Sequence, residues 1–130
     1  MRGILLSIKP EFAEMIICGK KRYEYRRRLC NQPIDCMYLY VTAPVKKVVA
    51  KVVVSGKLSG EKEWIWNQTK NFAGIDKCYF DSYFSGRMQA GAYCLGNVEV
   101  YKQPLELKDM GIPAAPQSFV YLSEEQVVNL

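Results

Sequence analysis

The chain has 130 residues, of which 49% are hydrophobic and 24% charged, and its formal net charge is +5. These values are typical of one soluble globular domain with its own core and exclude a disordered chain. The absence of histidine excludes Ser-His-Asp and Cys-His catalysis, and the five cysteines form no C-x-x-C pair. We therefore expect neither a metal site nor another cofactor.

Membrane insertion is also not expected from the sequence. No apolar run approaches the roughly 20 residues that cross a bilayer. The apolar start at residues 4–6 is cut off by Lys9 and Pro10, which leaves it too short for a signal peptide. We predict no membrane partner and a cytoplasmic location.

The first half of the chain predicts strands around one short helix. Residues 4–8 are β-rich and predict a strand, and Pro10 favours a helix start that leads to a C-cap at Gly19. Residues 22–28 predict a second strand, and strands follow over 36–41 and, as one strand or two, over 45–58. Alternation in the second strand gives two faces: Arg22, Glu24, Arg26 and Arg28 on one, and Tyr23, Tyr25 and Arg27 on the other.

The second half predicts two short helices followed by strands. The helices cover 61–72 and 76–84, and Asp76 suits the N-cap of the second. The aromatic residues of that helix, at 79, 80, 83 and 84, predict a stripe that faces the core. A strand over 90–101 with a bulge or turn at 96–97, a loop over 102–117 and a strand over 118–122 complete the order. This order predicts an α+β domain, mainly β, with a mainly antiparallel sheet or small barrel and helices at one side.

Basic residues concentrate in the first half of the chain. Residues 1–57 contain 12 lysines and arginines against four acidic residues, whereas residues 58–130 contain six against nine. Six of the nine residues in 20–28 are cationic, and two of the others are tyrosines. Clustered cations attract a polyanion and tyrosines offer faces for stacking bases, so the segment favours RNA or a nucleotide as partner. A solvated basic strand whose tyrosines serve the core has the same pattern.

One motif resembles a known family. The sequence Gly19-x-Lys21-x-x-Glu24-x-Arg26 follows Leu6-Ser7-Ile8-Lys9-Pro10 and resembles the G-x-K-x-x-E-x-R signature of the ASCH domain. Residues 42–49, 73–75, 83–86 and 116–119 are similar to small bacterial and phage-borne members of that family. The resemblance implies a PUA-like antiparallel β-barrel with short flanking helices over residues 1–122, followed by a C-terminal tail over 123–130.

The resemblance implies an RNA-related function and leaves its kind open. The first hypothesis is an RNA-binding domain with a basic cleft formed by Lys9, Gly19, Lys21, Tyr23, Glu24, Arg26, Arg28, Gln117 and Ser118. The alternative is a small hydrolase, an amidohydrolase acting on a modified nucleoside or a ribonuclease, with Lys21 as base or nucleophile and Glu24 as its acid/base partner. A third possibility is a protein-interaction module whose basic face meets an acidic partner.

The motif itself allows two structural interpretations. In the first, Lys21, Glu24 and Arg26 line a polar cleft that holds a phosphate or the edge of a base. In the second, they form an ion-pair lattice on a solvated surface. Lys21 and Glu24 are three residues apart, an odd step along a strand. They therefore share a cleft only if Lys21 lies in the turn before regular alternation begins.

Overall fold

The computed structural model of the protein describes residues 2–128, which form six strands and four helices. The strands are β1 (Gly3–Ile8), β2 (Tyr23–Tyr25), β3 (Cys36–Val41), β4 (Lys47–Glu61), β5 (Gln89–Leu105) and β6 (Phe119–Tyr121). The helices are α1 (Pro10–Ile17), α2 (Lys62–Thr69), α3 (Lys77–Tyr83) and α4 (Glu124–Val128). Short 3-10 turns cover Lys70–Phe72 and Leu107–Met110.

The strands form a single mixed sheet in the order β2-β5-β4-β3-β1-β6. Strands β1 and β3 are parallel, and all the other neighbouring pairs are antiparallel. The prediction of a mainly β domain with short flanking helices is confirmed. The closed barrel is not confirmed, because β2 and β6 are the two edges of the sheet and do not pair with each other within residues 2–128.

Most of the predicted elements form where the local sequence favours them. Strands β1 and β3 and helices α1 and α3 lie within two residues of their expected bounds, and the Asp76 carboxylate caps α3 by accepting a hydrogen bond from the Tyr79 amide at 2.8 Å. The valine-rich segment is one strand, β4. A register shift falls between the pairs Val52↔Val98 and Val54↔Leu95, which confirms the predicted bulge at 96–97.

Two predicted strands were wrong in extent, and the predicted tail contains a helix. Strand β2 has three residues instead of seven, because only Tyr23–Tyr25 pair with β5. Strand β5 continues to Leu105, inside the predicted loop, because its end pairs with Val48 of β4. Part of the expected tail forms α4, and the Gln126 side chain there donates a hydrogen bond to the Met110 carbonyl at 3.0 Å.

The core lies on both faces of the sheet. Ile4, Leu6 and Ile8 of β1 belong to a cluster that packs against α1, whereas Leu5 points to the opposite face and packs in a cluster with Met110. A third cluster joins α2 and α3 to Tyr25 of β2. None of the helices in the described part of the chain is both long and apolar enough to cross a membrane.

Candidate functional site

A cavity of about 600 Å³ opens between the start of α1, the end of β1, strand β2 and helix α3. The basic motif forms one of its walls, and the helical segment after β4 forms another. The lining residues are Ser7, Ile8, Lys9, Phe12, Lys21, Glu24, Tyr25, Arg26, Arg27, Thr42, Ile75, Tyr79, Ser82, Tyr83 and Gln117.

The Lys21 side chain lies almost entirely inside the protein, with 2% of its surface exposed. Its ammonium donates a hydrogen bond to the Ala73 carbonyl at 2.7 Å and lies 3.7 Å from a carboxylate oxygen of Glu24. The rings of Phe12 and Tyr25 flank it, with centroids 5.4 and 4.8 Å from Nζ. Burial lowers the pKa of Lys21 below its usual range, and the Glu24 carboxylate partly opposes that effect.

Glu24 and Arg26 form an ion pair with two hydrogen bonds next to Lys21. Arg26 donates from Nε at 3.0 Å and from Nη2 at 2.9 Å to the same oxygen of Glu24, which is itself only 4% exposed. The Nη2 group also donates to the Ser7 carbonyl at 2.7 Å, and Nη1 makes a longer contact of 3.4 Å to the Ser118 hydroxyl. The motif residues are thus an ion network, and the network is buried at the wall of a cavity instead of lying on a solvated surface.

Helix α3 contributes an aromatic wall, where the sequence predicted a stripe facing the core. Phe80 and Phe84 are fully buried, but Tyr79 is exposed and Tyr83 is half-buried, and both tyrosines line the cavity. The two tyrosine rings stack 6.4 Å apart and nearly parallel. The prediction of a single stripe facing the core was wrong. The spacing produces two i, i+4 pairs, one of phenylalanines and one of tyrosines, on adjacent faces of the helix, and only the phenylalanine face meets the sheet.

Arg27 connects the basic segment to this aromatic wall. Its guanidinium lies 4.2 Å from the centre of the Tyr83 ring, and its Nε donates a hydrogen bond to the Tyr83 carbonyl at 2.8 Å. The side chain is exposed to solvent, so it presents a cation at the rim of the cavity. The predicted strand placed Arg27 on the same face as Tyr23 and Tyr25, opposite Glu24 and Arg26, so the sequence did not indicate that Arg27 lies at the rim of this cavity.

The predicted site residues separate into two groups. Lys9, Lys21, Glu24, Arg26 and Gln117 line the cavity. Four others do not. Ser118 pairs with the Ser7 amide through its carbonyl and contacts Arg26 through its hydroxyl, and Gly19 lines a second cavity of about 200 Å³. Tyr23 packs against the third core cluster, and Arg28 is exposed outside both cavities.

Several lining residues were not anticipated from the sequence. Thr42 and Ser82 bring hydroxyl groups to the cavity, and Phe12 brings an apolar ring. Phe12 follows the helical spacing that predicts core, and isolated hydroxyl residues carry no pattern that points to a site. No group of three or more histidine, cysteine, aspartate or glutamate side chains suited to a metal ion occurs within residues 2–128.

Similarities to known proteins agree with this architecture. An ASCH domain-containing ribonuclease of Zymomonas mobilis is 28% identical over 131 residues, covering 97% of this chain and 88% of that protein. A crystal structure of ASCH from the same organism superposes with a TM-score of 0.89 at 26% identity, covering 98% of this chain and 92% of that one. A large ribosomal subunit protein uL22 of Ureaplasma parvum is 26% identical over 121 residues, covering 92% of this chain and 39% of that protein. The model of the ASCH domain matches residues 6–108, and this chain therefore belongs to the ASCH domain family.

Proposed function

We propose that the protein binds RNA and that one nucleotide unit occupies the cavity beside Lys21, Glu24 and Arg26. The observation that carries the proposal is that one cavity is lined both by the cations of the motif and by the tyrosine rings of α3. A cavity of about 600 Å³ is within the range of pockets that enclose small ligands. The names of two relatives, a ribonuclease and a ribosomal protein, support RNA as the partner.

The cationic wall suits a phosphate group. Glu24 and the Ser7 carbonyl fix the guanidinium of Arg26, and its Nη1 makes only the 3.4 Å contact to Ser118. That weak contact is the one a phosphate oxygen displaces most readily, because charged hydrogen bonds from arginine to phosphate are short and strong. Lys9 and Arg27 are exposed nearby and add positive charge at the rim.

The aromatic wall suits the base of the same nucleotide. Tyr79 is 39% exposed, and its ring contacts Phe12 edge to face at a centroid distance of 5.5 Å. A base that leaves a helical stack recovers stacking energy on such a ring, which favours unpaired nucleotides over those in a duplex. The hydroxyls of Thr42 and Ser82 and the amide of Gln117 supply donors and acceptors for its edge.

Fluorescence anisotropy with a labelled single-stranded RNA tests this proposal. We expect Arg27→Ala to weaken binding by about tenfold, the loss of one charge-assisted hydrogen bond. Lys102→Ala is the matched control, because it removes the same charge from an exposed position outside the cavity, and it should retain wild-type affinity. An absence of binding at low salt, or equal losses in the two variants, would contradict RNA binding at this cavity.

A second candidate function is RNA cleavage at the same site. It is favoured by the buried ammonium of Lys21 inside the cavity and by the name of the Zymomonas mobilis relative. In internal transesterification the 2′-oxygen attacks phosphorus and the bond to the 5′-oxygen breaks, so one group removes a proton and another supplies one. Burial lowers the pKa of Lys21, which suits it to remove the proton of the 2′-hydroxyl, and Glu24 is the acid/base partner that passes a proton to the departing 5′-oxygen. Arg26 stabilises charge on the phosphate oxygens.

The cleavage assay uses an RNA with one scissile position and a control strand with a 2′-deoxy sugar there. We expect a 2′,3′-cyclic phosphate product from the wild type, none from the deoxy strand and none with Lys21→Met. Cleavage that persists in Lys21→Met would remove Lys21 from the mechanism. Release of the acyl group from acylated cytidine, with no cleavage of RNA, would favour the amidohydrolase alternative instead. The expected cytoplasmic location stays a prediction.

A further inference from the structure

The segment after α2 approaches Lys21 more closely than any side chain allows. The backbone at Gly74 is left-handed, with φ of +69°, and a Cβ added there would lie 2.6, 2.7 and 2.9 Å from Cβ, Cγ and Cδ of Lys21. Carbon atoms that are not bonded do not approach this closely, so one of the two residues would have to move. We infer that Gly74 is a positioning residue, whose bare backbone holds the Lys21 side chain in place inside the cavity.

The Gly74 backbone is not free to move away from Lys21. The Arg22 amide donates a hydrogen bond to the Phe72 carbonyl at 2.8 Å, and the Lys21 ammonium donates to the Ala73 carbonyl at 2.7 Å. Ala73 is itself buried in the third core cluster. These contacts fix the segment against the entry to β2, and retreat of the backbone would leave buried polar groups without partners.

Lys21 is equally confined on its other sides. The Phe12 and Tyr25 rings flank its ammonium, and Glu24 lies beyond. A methyl group at position 74 cannot be accommodated by rotation of the lysine side chain, because Cβ of Lys21 moves only with its backbone. Residue 21 is therefore displaced as a whole, and its ammonium leaves the position between the two rings. The cavity then loses a cation, and Glu24 keeps only Arg26 as its partner. Gly74 thus acts on the site through Lys21 and need not touch RNA.

Gly74→Ala tests this inference, with Gly111→Ala as the matched control. Gly111 has nearly the same backbone, with φ of +71°, but a Cβ there meets no atom within 4 Å. Both substitutions carry the same backbone strain, and only the first creates a clash. The readout is the acylation rate of Lys21, measured by peptide mass spectrometry relative to that of the exposed Lys102.

We expect Gly74→Ala to raise the relative rate at Lys21 by about tenfold or more, because in the wild type reagent reaches this buried amine only through local opening. Gly111→Ala should leave the rate unchanged. An unchanged rate in folded Gly74→Ala, or an equal increase in Gly111→Ala, would overturn the inference.

A second variant covers the case in which Gly74→Ala does not fold. Lys21→Gly removes the three atoms that lie nearest to the new methyl group, so the double variant Lys21→Gly/Gly74→Ala should fold and melt close to Lys21→Gly/Gly111→Ala. A Lys21→Gly/Gly74→Ala protein that is unfolded or melts well below Lys21→Gly/Gly111→Ala would overturn the inference.

The RNA readout rests on the function proposed above and is scored separately. Where the wild type binds or cleaves RNA, Gly74→Ala should reduce that activity more than Gly111→Ala does, and equal effects would overturn the role of Gly74 at the site. Where the wild type does neither, the proposed function fails, and the acylation rates still decide whether Gly74 positions Lys21.

Discussion

The substitution Glu24→Gln separates a buried network from a surface lattice. Glutamine has nearly the shape of glutamate and retains one oxygen that can accept a hydrogen bond from Arg26. It removes the only negative charge that faces Lys21 and Arg26 in the network. Lys21 is then left as a cation inside the protein without a counter-ion, and it must either lose its proton or move toward solvent.

The structure sets the size of the effect. Removing one partner of a buried ion pair costs about 3–5 kcal/mol, and the Arg26 side chain is 15% exposed, so we expect about 3 kcal/mol, at the lower end. At about 4 °C per kcal/mol for a domain of this size, the melting temperature should fall by about 12 °C. A solvated pair would contribute about 1 kcal/mol or less.

The assay is thermal unfolding of Glu24→Gln beside a matched variant. Glu63→Gln is the control, because the Glu63–Lys77 pair is 3.0 Å long but its side chains are 60% and 38% exposed. It should change the melting temperature by about 4 °C or less, as a surface pair does. If Glu24→Gln and Glu63→Gln lower the melting temperature equally, the Glu24 pair contributes no more than a surface pair, and Glu24 is not part of a buried network.

The change in RNA affinity of Glu24→Gln also distinguishes a binding cleft from a basic surface, because the two interpretations predict changes in opposite directions. Glu24→Gln raises the formal net charge from +5 to +6, which by itself strengthens binding to any polyanion. We expect weaker binding instead, since a neutral amide holds the Arg26 guanidinium less firmly than the carboxylate does. Tighter binding to every RNA tested would indicate that only the basic charge matters.

Three further predictions concern the aromatic wall, the rim and alkaline stability. Tyr79→Ala should weaken RNA binding by about tenfold or more in anisotropy, because stacking of a base on an aromatic ring contributes about 1–3 kcal/mol; Tyr79→Phe should bind like the wild type, and equal affinities of all three proteins would exclude stacking there. Arg27→Ala should reduce the slope of log K against log salt by about 0.7, the value for one phosphate contact to a single strand, and an unchanged slope would exclude that contact. Burial raises the pKa of Tyr25 and of Tyr101 from 10.0 to about 12, so between these values the folded protein keeps protons that the unfolded chain releases. Its stability should therefore fall as the pH rises from 10 to 12, by up to about 1.4 kcal/mol per pH unit for each group; urea unfolding free energies that stay level over this range would contradict the burial of both hydroxyls.

The sequence predicted those features that depend on neighbouring residues. Alternation placed Glu24 and Arg26 on one face, and they form an ion pair with two hydrogen bonds although β2 is only three residues long. The sequence predicted that Lys21 and Glu24 share a cleft only if Lys21 precedes the regular strand, and Lys21 does lie just before β2 and lines the same cavity as Glu24. Capping by Asp76 likewise depends on residues within one helical turn.

Other features of the site depend on contacts between distant parts of the chain. The acceptor for Lys21 is a backbone carbonyl 52 residues away, and a carbonyl group leaves no mark in the sequence. The two aromatic pairs of α3 cannot be assigned to core or cavity until the helix is docked on β2. That docking includes the edge-to-face contact between the rings of Tyr25 and Phe80, whose centroids are 5.3 Å apart, and no local pattern predicts it.

Arg26 explains why the cavity lies where the sheet is open. It follows edge strand β2, and its guanidinium donates to Ser7 of β1 and contacts Ser118, which precedes the opposite edge strand β6. A side chain thus connects two edges that backbone pairing does not join, and the space left between them is part of the cavity. Stability and ligand binding are therefore coupled at Glu24 and Arg26, because the same hydrogen bonds serve both. At the exposed Tyr79 and Arg27 they are separable, so substitutions there report on RNA without disturbing the fold.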